Sequence, residues 1–446
     1  MEDLCKRIPL ICKTIFEELD NQSFVNLKKA SKEIAKHLKN ERFQWIRAMR
    51  SYNCFIGDFK NSWAKVVKRV PAKILEEIVM VIHSFSEDWK HLSIKSLSPQ
   101  HIATICGELE LYQHIVERTS DVNPKAPADW NSTPMHYATD CRRFEVCEFI
   151  IDMVSDKNPT DVYGVTPLHH AAGLGYLDIC ELIIENVHDK NPEDINGETP
   201  LHCAAIEGHL DIYKFIIENV QNKNPSDNGG HTPLHLAAKR GHLDICKFII
   251  EHVQDKNPSN IDDDTPLHLA AQKGHLDICK FIIENVHDKN PRTYFGDTPL
   301  HYASDCGHLD ICKLIFEYVH DKNPGDDNDD TPLHAAAEKG HFNICKLIVE
   351  NVSDKNPRDI VGETPLHVAA EKGHFNICKL IIENVQSKNP VDNNNNTPLH
   401  LAAGKGHFEI YKLIIQFAVT ENPRNNLGQT SLDVAALNGY PKICFN

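Results

Sequence analysis

The element Thr-Pro-(Leu/Met)-His recurs with an unvarying step of 33 residues, at Thr133, Thr166, Thr199, Thr232, Thr265, Thr298, Thr331, Thr364 and Thr397. A degenerate copy, Thr-Ser-Leu-Asp, begins at Thr430, and another, Ser-Pro-Gln-His, at Ser98, 35 residues before Thr133. A fixed repeat of this length is one supersecondary unit whose apolar faces are covered only by its neighbours, so eleven units over 98–446 stack in one dimension instead of surrounding a common core. Chain length, 446 residues, then says little about domain number.

Each unit reads alike. Thr suits the N-cap and Pro the first helical position, where a missing N–H is harmless. Ala residues five and six places on, as in Ala237-Ala238, allow close helix packing, and Gly241 and its counterparts end the helix with a left-handed residue. The second helix carries Leu243, Ile245, Cys246, Phe248, Ile249, Ile250 and Val253, enough to bury two faces against neighbouring units. An Asp-Lys-Asn-Pro linker, Asp255 to Pro258 in this copy, then starts an extended hairpin leading to the next Thr.

A period of 33 with Thr-Pro-Leu-His-x-Ala resembles the ankyrin repeat. The resemblance implies an all-α fold: an ankyrin-repeat solenoid of helix-turn-helix units with β-hairpin-like tips, preceded by a small helical N-terminal module. The expected domains are 1–50, a helical module; 51–97, a helical connector containing a helical stretch, 72–82, opened by Pro71; and 98–446, the solenoid, its first and last repeats degenerate.

Net charge is −16 and unevenly placed: residues 1–97 hold 18 Lys+Arg against 12 Asp+Glu, leaving 29 against 51 in the repeats. Phosphate neutralisation needs cations on the binding face, so this acidity argues against a nucleic-acid partner and for a protein one. The N-terminus lacks a basic stretch followed by an apolar core, and the longest apolar run, 78–82, is far too short to span a bilayer. A cytoplasmic or nuclear protein without a membrane partner is expected.

Of 27 histidines, ten occupy the fourth place of the Thr-Pro-Leu-His element and seven follow the helix-ending Gly. The ankyrin resemblance implies structural roles, the first set hydrogen-bonding between repeats and the second belonging to the turn, and no Cys-x-x-Cys or His-Glu-x-x-His spacing supports zinc. No phosphate-binding loop, dinucleotide fingerprint or nucleophile elbow interrupts the array, so no catalytic, metal or cofactor-binding residues are expected and the chain reads as a non-enzyme.

Residues 8–45 form a second pattern: Ile8-Pro9, Ile15, Leu19, the polar break Asp20-Asn21-Gln22-Ser23, Phe24, Leu27, Ala30-Ser31-Lys32, then Phe43 and Trp45. This is similar to an F-box, with Pro9 to Leu19 one residue short and Ile34 in place of the usual aromatic. The resemblance implies that Ile8, Pro9, Ile15, Leu19, Phe24 and Leu27 dock the adaptor of a cullin-type ubiquitin ligase while the repeats select a substrate. The alternative is a helical cap on an interaction scaffold or inhibitor with no link to ubiquitin.

Partner contacts are expected where repeats differ, at the hairpin tips and at the residue after the recurrent His, positions that ankyrin-repeat proteins use for binding. Two aromatic groups stand out: Tyr294, Phe295 and Tyr302 with Arg292 at the rim, and Trp130, Tyr137 and Tyr163. Aromatics and Arg dominate binding hot spots. Acidic tips, Asp262 to Asp264 and Asp326 to Asp330, combine turn chemistry with attraction for a basic segment.

Cys147, Cys180, Cys246, Cys279, Cys312, Cys345, Cys378 and Cys444 all sit fourteen residues after the Thr of their repeat, a slot filled elsewhere by Tyr112, Tyr213 and Tyr411. A slot exchanging Cys with Tyr in an apolar helix is a packing position. Stacked equivalents lie roughly 8–10 Å apart, beyond disulfide reach. Alkylation of denatured protein without reductant is expected to label all eight; disulfide-linked peptides joining adjacent repeats would contradict the stacking.

Overall fold

In the computed structural model the described residues are 97–444 except 108, 120, 128–129 and 418–422. They contain 22 helices in pairs and no strand; isolated bridges join Ala126 to Ser132 and Arg424 to Thr430. The chain divides into two compact units between Asn222 and Lys223. The first holds four helix pairs, from Pro99–Cys106 with Leu109–Thr119 to Pro200–Glu207 with Leu210–Asn219; the second holds seven, from Pro233–Arg240 with Leu243–His252 to Ser431–Leu437 with Pro441–Cys444.

Helices of this length are marginal alone and are held by packing. In the first helices the paired alanines, such as Ala270 and Ala271, are fully buried. In the second helices burial falls on the Ile and Cys positions, as at Ile278, Cys279, Ile282 and Ile283. Seven of the eight periodic cysteines are buried and Cys444 half-buried; all are free thiols. Burial pushes the thiols of Cys147, Cys246, Cys279, Cys345 and Cys378 up to about 12, which leaves them unreactive.

The recurrent His closes each cap. In Thr298-Pro299-Leu300-His301, the Thr298 backbone N–H donates to His301 Nδ1 at 2.9 Å, a capping box with imidazole at N3 in place of Glu or Gln. With Nδ1 accepting, the proton belongs on Nε2, which lies 3.1 Å from the carbonyl of Asp330 in the following repeat. The same link runs from His101 to Ser132, His136 to Val165, His169 to Glu198, His235 to Asp264, His268 to Asp297, His367 to Asn396 and His400 to Gln429.

A second histidine works in the opposite direction. His308 Nε2 approaches the Gln272 carbonyl of the preceding repeat at 3.1 Å, and its ring lies over Gly274, where a Cβ would meet Cε1 at 2.6 Å. Gly274 thus serves twice, as the left-handed helix end at φ +81° and as the floor for this ring. The linker asparagine completes the unit: Asn323 Oδ1 accepts from Leu333 N–H inside the next helix, and Asp321 Oδ1 accepts from Asn323 N–H.

Burial holds the capping imidazoles neutral. His101, His169, His235, His268, His301, His334 and His367 are lowered from the usual 6.5 to about 4, and His136 to about 3. Between pH 6.5 and 4 the unfolded chain therefore binds the more protons, so stability is full above 6.5 and declines as pH falls towards 4. Each full proton of difference is worth about 1.4 kcal/mol per pH unit. Asp297 and Asp330, raised to about 6 by burial and neighbouring carboxylates, act in the opposite sense, as do Asp264, Asp359 and Glu363, which burial also raises; these five stand against nine lowered imidazoles, His400 included. Urea unfolding is expected to show a steep loss of stability from about pH 7 to about pH 5; a midpoint independent of pH over that interval would contradict neutral capping histidines.

Candidate functional site

The tips are built by the backbone. In the tip before Thr331, Asp326 Oδ1 accepts from the N–H groups of Asn328 at 2.7 Å and Asp330 at 2.8 Å, closing the turn. Asp263, Asp329 and Asn395 take φ of +56°, +58° and +57° where most tips have Gly. Turn chemistry thus explains Asp263, Asp326 and Asp329.

Successive tips are joined by main-chain bonds. Tyr294 N–H donates to the Asp262 carbonyl at 2.8 Å, Asp327 N–H to Phe295 at 3.0 Å, Ile360 N–H to Asn328 at 2.9 Å and Asn393 N–H to Val361 at 3.0 Å; in the first unit Val162 N–H donates to Trp130 and Ile195 N–H to Tyr163. None of these bonds uses a side chain, so the backbone fixes the tips while the side chains at their two central positions remain open to solvent.

Tyr294 and Phe295 are 68% and 61% exposed, their rings edge to face with centroids 5.2 Å apart. Trp130 is half-exposed and lies 5.2 Å from the Tyr163 ring. Ile261, Ile360 and Val361, not singled out from the sequence, are also exposed at the central tip positions. Their signal was present: they are apolar where other tips carry Asp or Asn.

One of the expected contact residues lies in the core, and two others are tied to neighbouring groups. Tyr137, expected at the surface, is only 3% exposed; it packs with Ile105, Leu97 and Cys141 and meets His101 edge-on at 5.4 Å. Tyr302 occupies the same repeat position but is half-buried, its hydroxyl bonded to Asp264. Arg292, expected at the rim, turns its Nη1 to the carbonyls of Gly296 at 3.0 Å and Gly325 at 2.8 Å, where it ties two tips together. Ile8, Pro9, Ile15, Leu19, Phe24 and Leu27 lie outside the described residues.

Beneath the tips of the second unit is an open groove of about 330 Å³, lined by Asp297, Tyr302, Asp305, Asp326, Asp330 and Glu338 among others. Burial first, then the surrounding carboxylates, raises Asp297 and Asp330. Among the described residues no group of His, Cys, Asp or Glu is arranged to hold a metal ion, and no helix is long and apolar enough to cross a membrane.

Paired short helices, projecting tips and cap links between repeats define a helical repeat protein. The family model for ankyrin repeats (3 copies) matches residues 100–194, 168–260, 252–326, 318–392 and 383–445, and the chain belongs to the ankyrin-repeat family. A comparison with curated proteins found no match. Ankyrin repeats bind protein partners, and the fold is that of a binding scaffold.

Tip and core aromatics are expected to separate by mutation. Tyr294→Ala should change stability by no more than about 0.5 kcal/mol, whereas Tyr137→Ala should cost about 3 kcal/mol or more. Chemical denaturation measures both, and equal effects would mean that the Tyr294 ring belongs to the core.

Proposed function

We propose that this protein-interaction module is the substrate-recognition subunit of a cullin-type ubiquitin ligase, with an F-box-like segment docking the adaptor and the ankyrin repeats holding the substrate at their tips. The repeats supply binding energy and proximity; the transfer chemistry belongs to other subunits. The pattern from Leu19 to Lys32, Leu-Asp-Asn-Gln-Ser-Phe followed by Ala-Ser-Lys, carries the ligase half of the proposal. Exposed tip aromatics, which the backbone ladder does not use, support the substrate half. The domain division at 50 and 97 and a cytoplasmic or nuclear location belong to the same proposal.

An ankyrin scaffold or inhibitor without a ubiquitin link is the competing reading, and one experiment separates them. Full-length protein is expected to co-purify with the adaptor and cullin from a eukaryotic lysate. Pro9→Ala combined with Leu19→Ala should abolish that association while the helical circular dichroism persists. Failure of the unaltered chain to bind the adaptor leaves the scaffold reading.

A further inference from the structure

The tip row of the second unit combines two properties. Ile261, Tyr294, Phe295, Ile360 and Val361 are each more than half exposed, although their backbones are fixed by the tip-to-tip bonds. Apolar side chains held in place without packing against the protein are preorganised for contact, since little chain entropy is lost when they are covered.

Around them the charge is one-sided. Tip residues 260–264, 292–297, 325–330 and 358–363 carry ten Asp or Glu against two Arg. Both guanidiniums turn to tip carbonyls, Arg292 to Gly296 and Gly325 and Arg358 to Val391. The exposed carboxylates Asp262 and Asp327 flank the aromatic pair, and neither is needed for turn closure as Asp326 is. An acidic or purely apolar partner would meet uncompensated negative charge, whereas Lys or Arg would meet both carboxylates and aromatic faces.

We propose that Ile261, Tyr294, Phe295, Ile360 and Val361 dock a cationic protein segment that carries apolar side chains between its Lys or Arg residues. The assignment rests on the tip-binding reading above and names the chemistry of the partner. Apolar contacts supply residence time, and the flanking carboxylates set the encounter rate and reject acidic competitors.

The full chain is titrated with three fluorescein-labelled peptides: one alternating Arg with Leu, one alternating Glu with Leu, and one alternating Arg with Ser. The Arg–Leu peptide should bind at least about tenfold more tightly than either of the others, and added salt should weaken it. Tyr294→Ser with Phe295→Ser, and separately Asp262→Asn with Asp327→Asn, should each reduce its affinity about tenfold with the melting temperature unchanged. Equal binding of the Glu–Leu peptide, or no Arg–Leu binding, overturns the proposal without recourse to any variant. If only the aromatic pair matters, the cationic assignment falls and the tip site stands; if neither pair matters, both fall. Self-association of the chain that is lost in the Tyr294→Ser, Phe295→Ser variant would identify a second copy as the occupant and likewise overturn it.

Discussion

The capping imidazole is the interaction on which the rest of the fold depends. A capping box closed by Glu ends at the helix it closes, because the N3 carboxylate returns to the N-cap N–H and has no donor to offer further. Histidine has a second nitrogen. In accepting from the Thr N–H it fixes its proton on the far side of the ring, and that proton reaches the main chain of the following repeat, as from His301 to Asp330. One side chain thus starts a helix and spaces two repeats. In the second unit the histidine after a helix-ending Gly ties back in the other direction, as from His308 to Gln272.

These links explain why buried polar groups recur through an otherwise apolar interior. A buried neutral imidazole without partners would cost about 1–3 kcal/mol; here Nδ1 and Nε2 are both engaged in eight of the repeats. Glycine is equally constrained, because Gly274 must leave room for His308. The period visible in the sequence is therefore a set of distances between particular atoms.

Much of the fold was legible for that reason. Thr, Pro, His, Ala, Gly and Cys each keep one place in the period and one place in the structure, so helix boundaries and buried cysteines followed from spacing. The candidate site was less legible, because a side chain's environment depends on its neighbours. Tyr137 and Tyr302 share a repeat position, yet one is enclosed by Ile105, Leu97 and Cys141 and the other reaches Asp264 in a half-open groove. That Arg292 ties two tips together was not legible, because sequence does not disclose two carbonyls within reach of its guanidinium. The F-box-like residues gain no structural support, since they lie outside the described part of the chain.

The tip ladder has a consequence for how such a chain changes over generations. Main-chain N–H and C=O groups are common to almost every residue type, so a ladder made from them does not constrain the side chains beside it. Substitutions at positions such as 294, 295, 327 and 360 escape purifying selection for folding and are sieved only by what the surface touches. Duplicated repeats would therefore diverge first along this row, which makes the tips of a repetitive array the place where copies of one gene acquire separate histories.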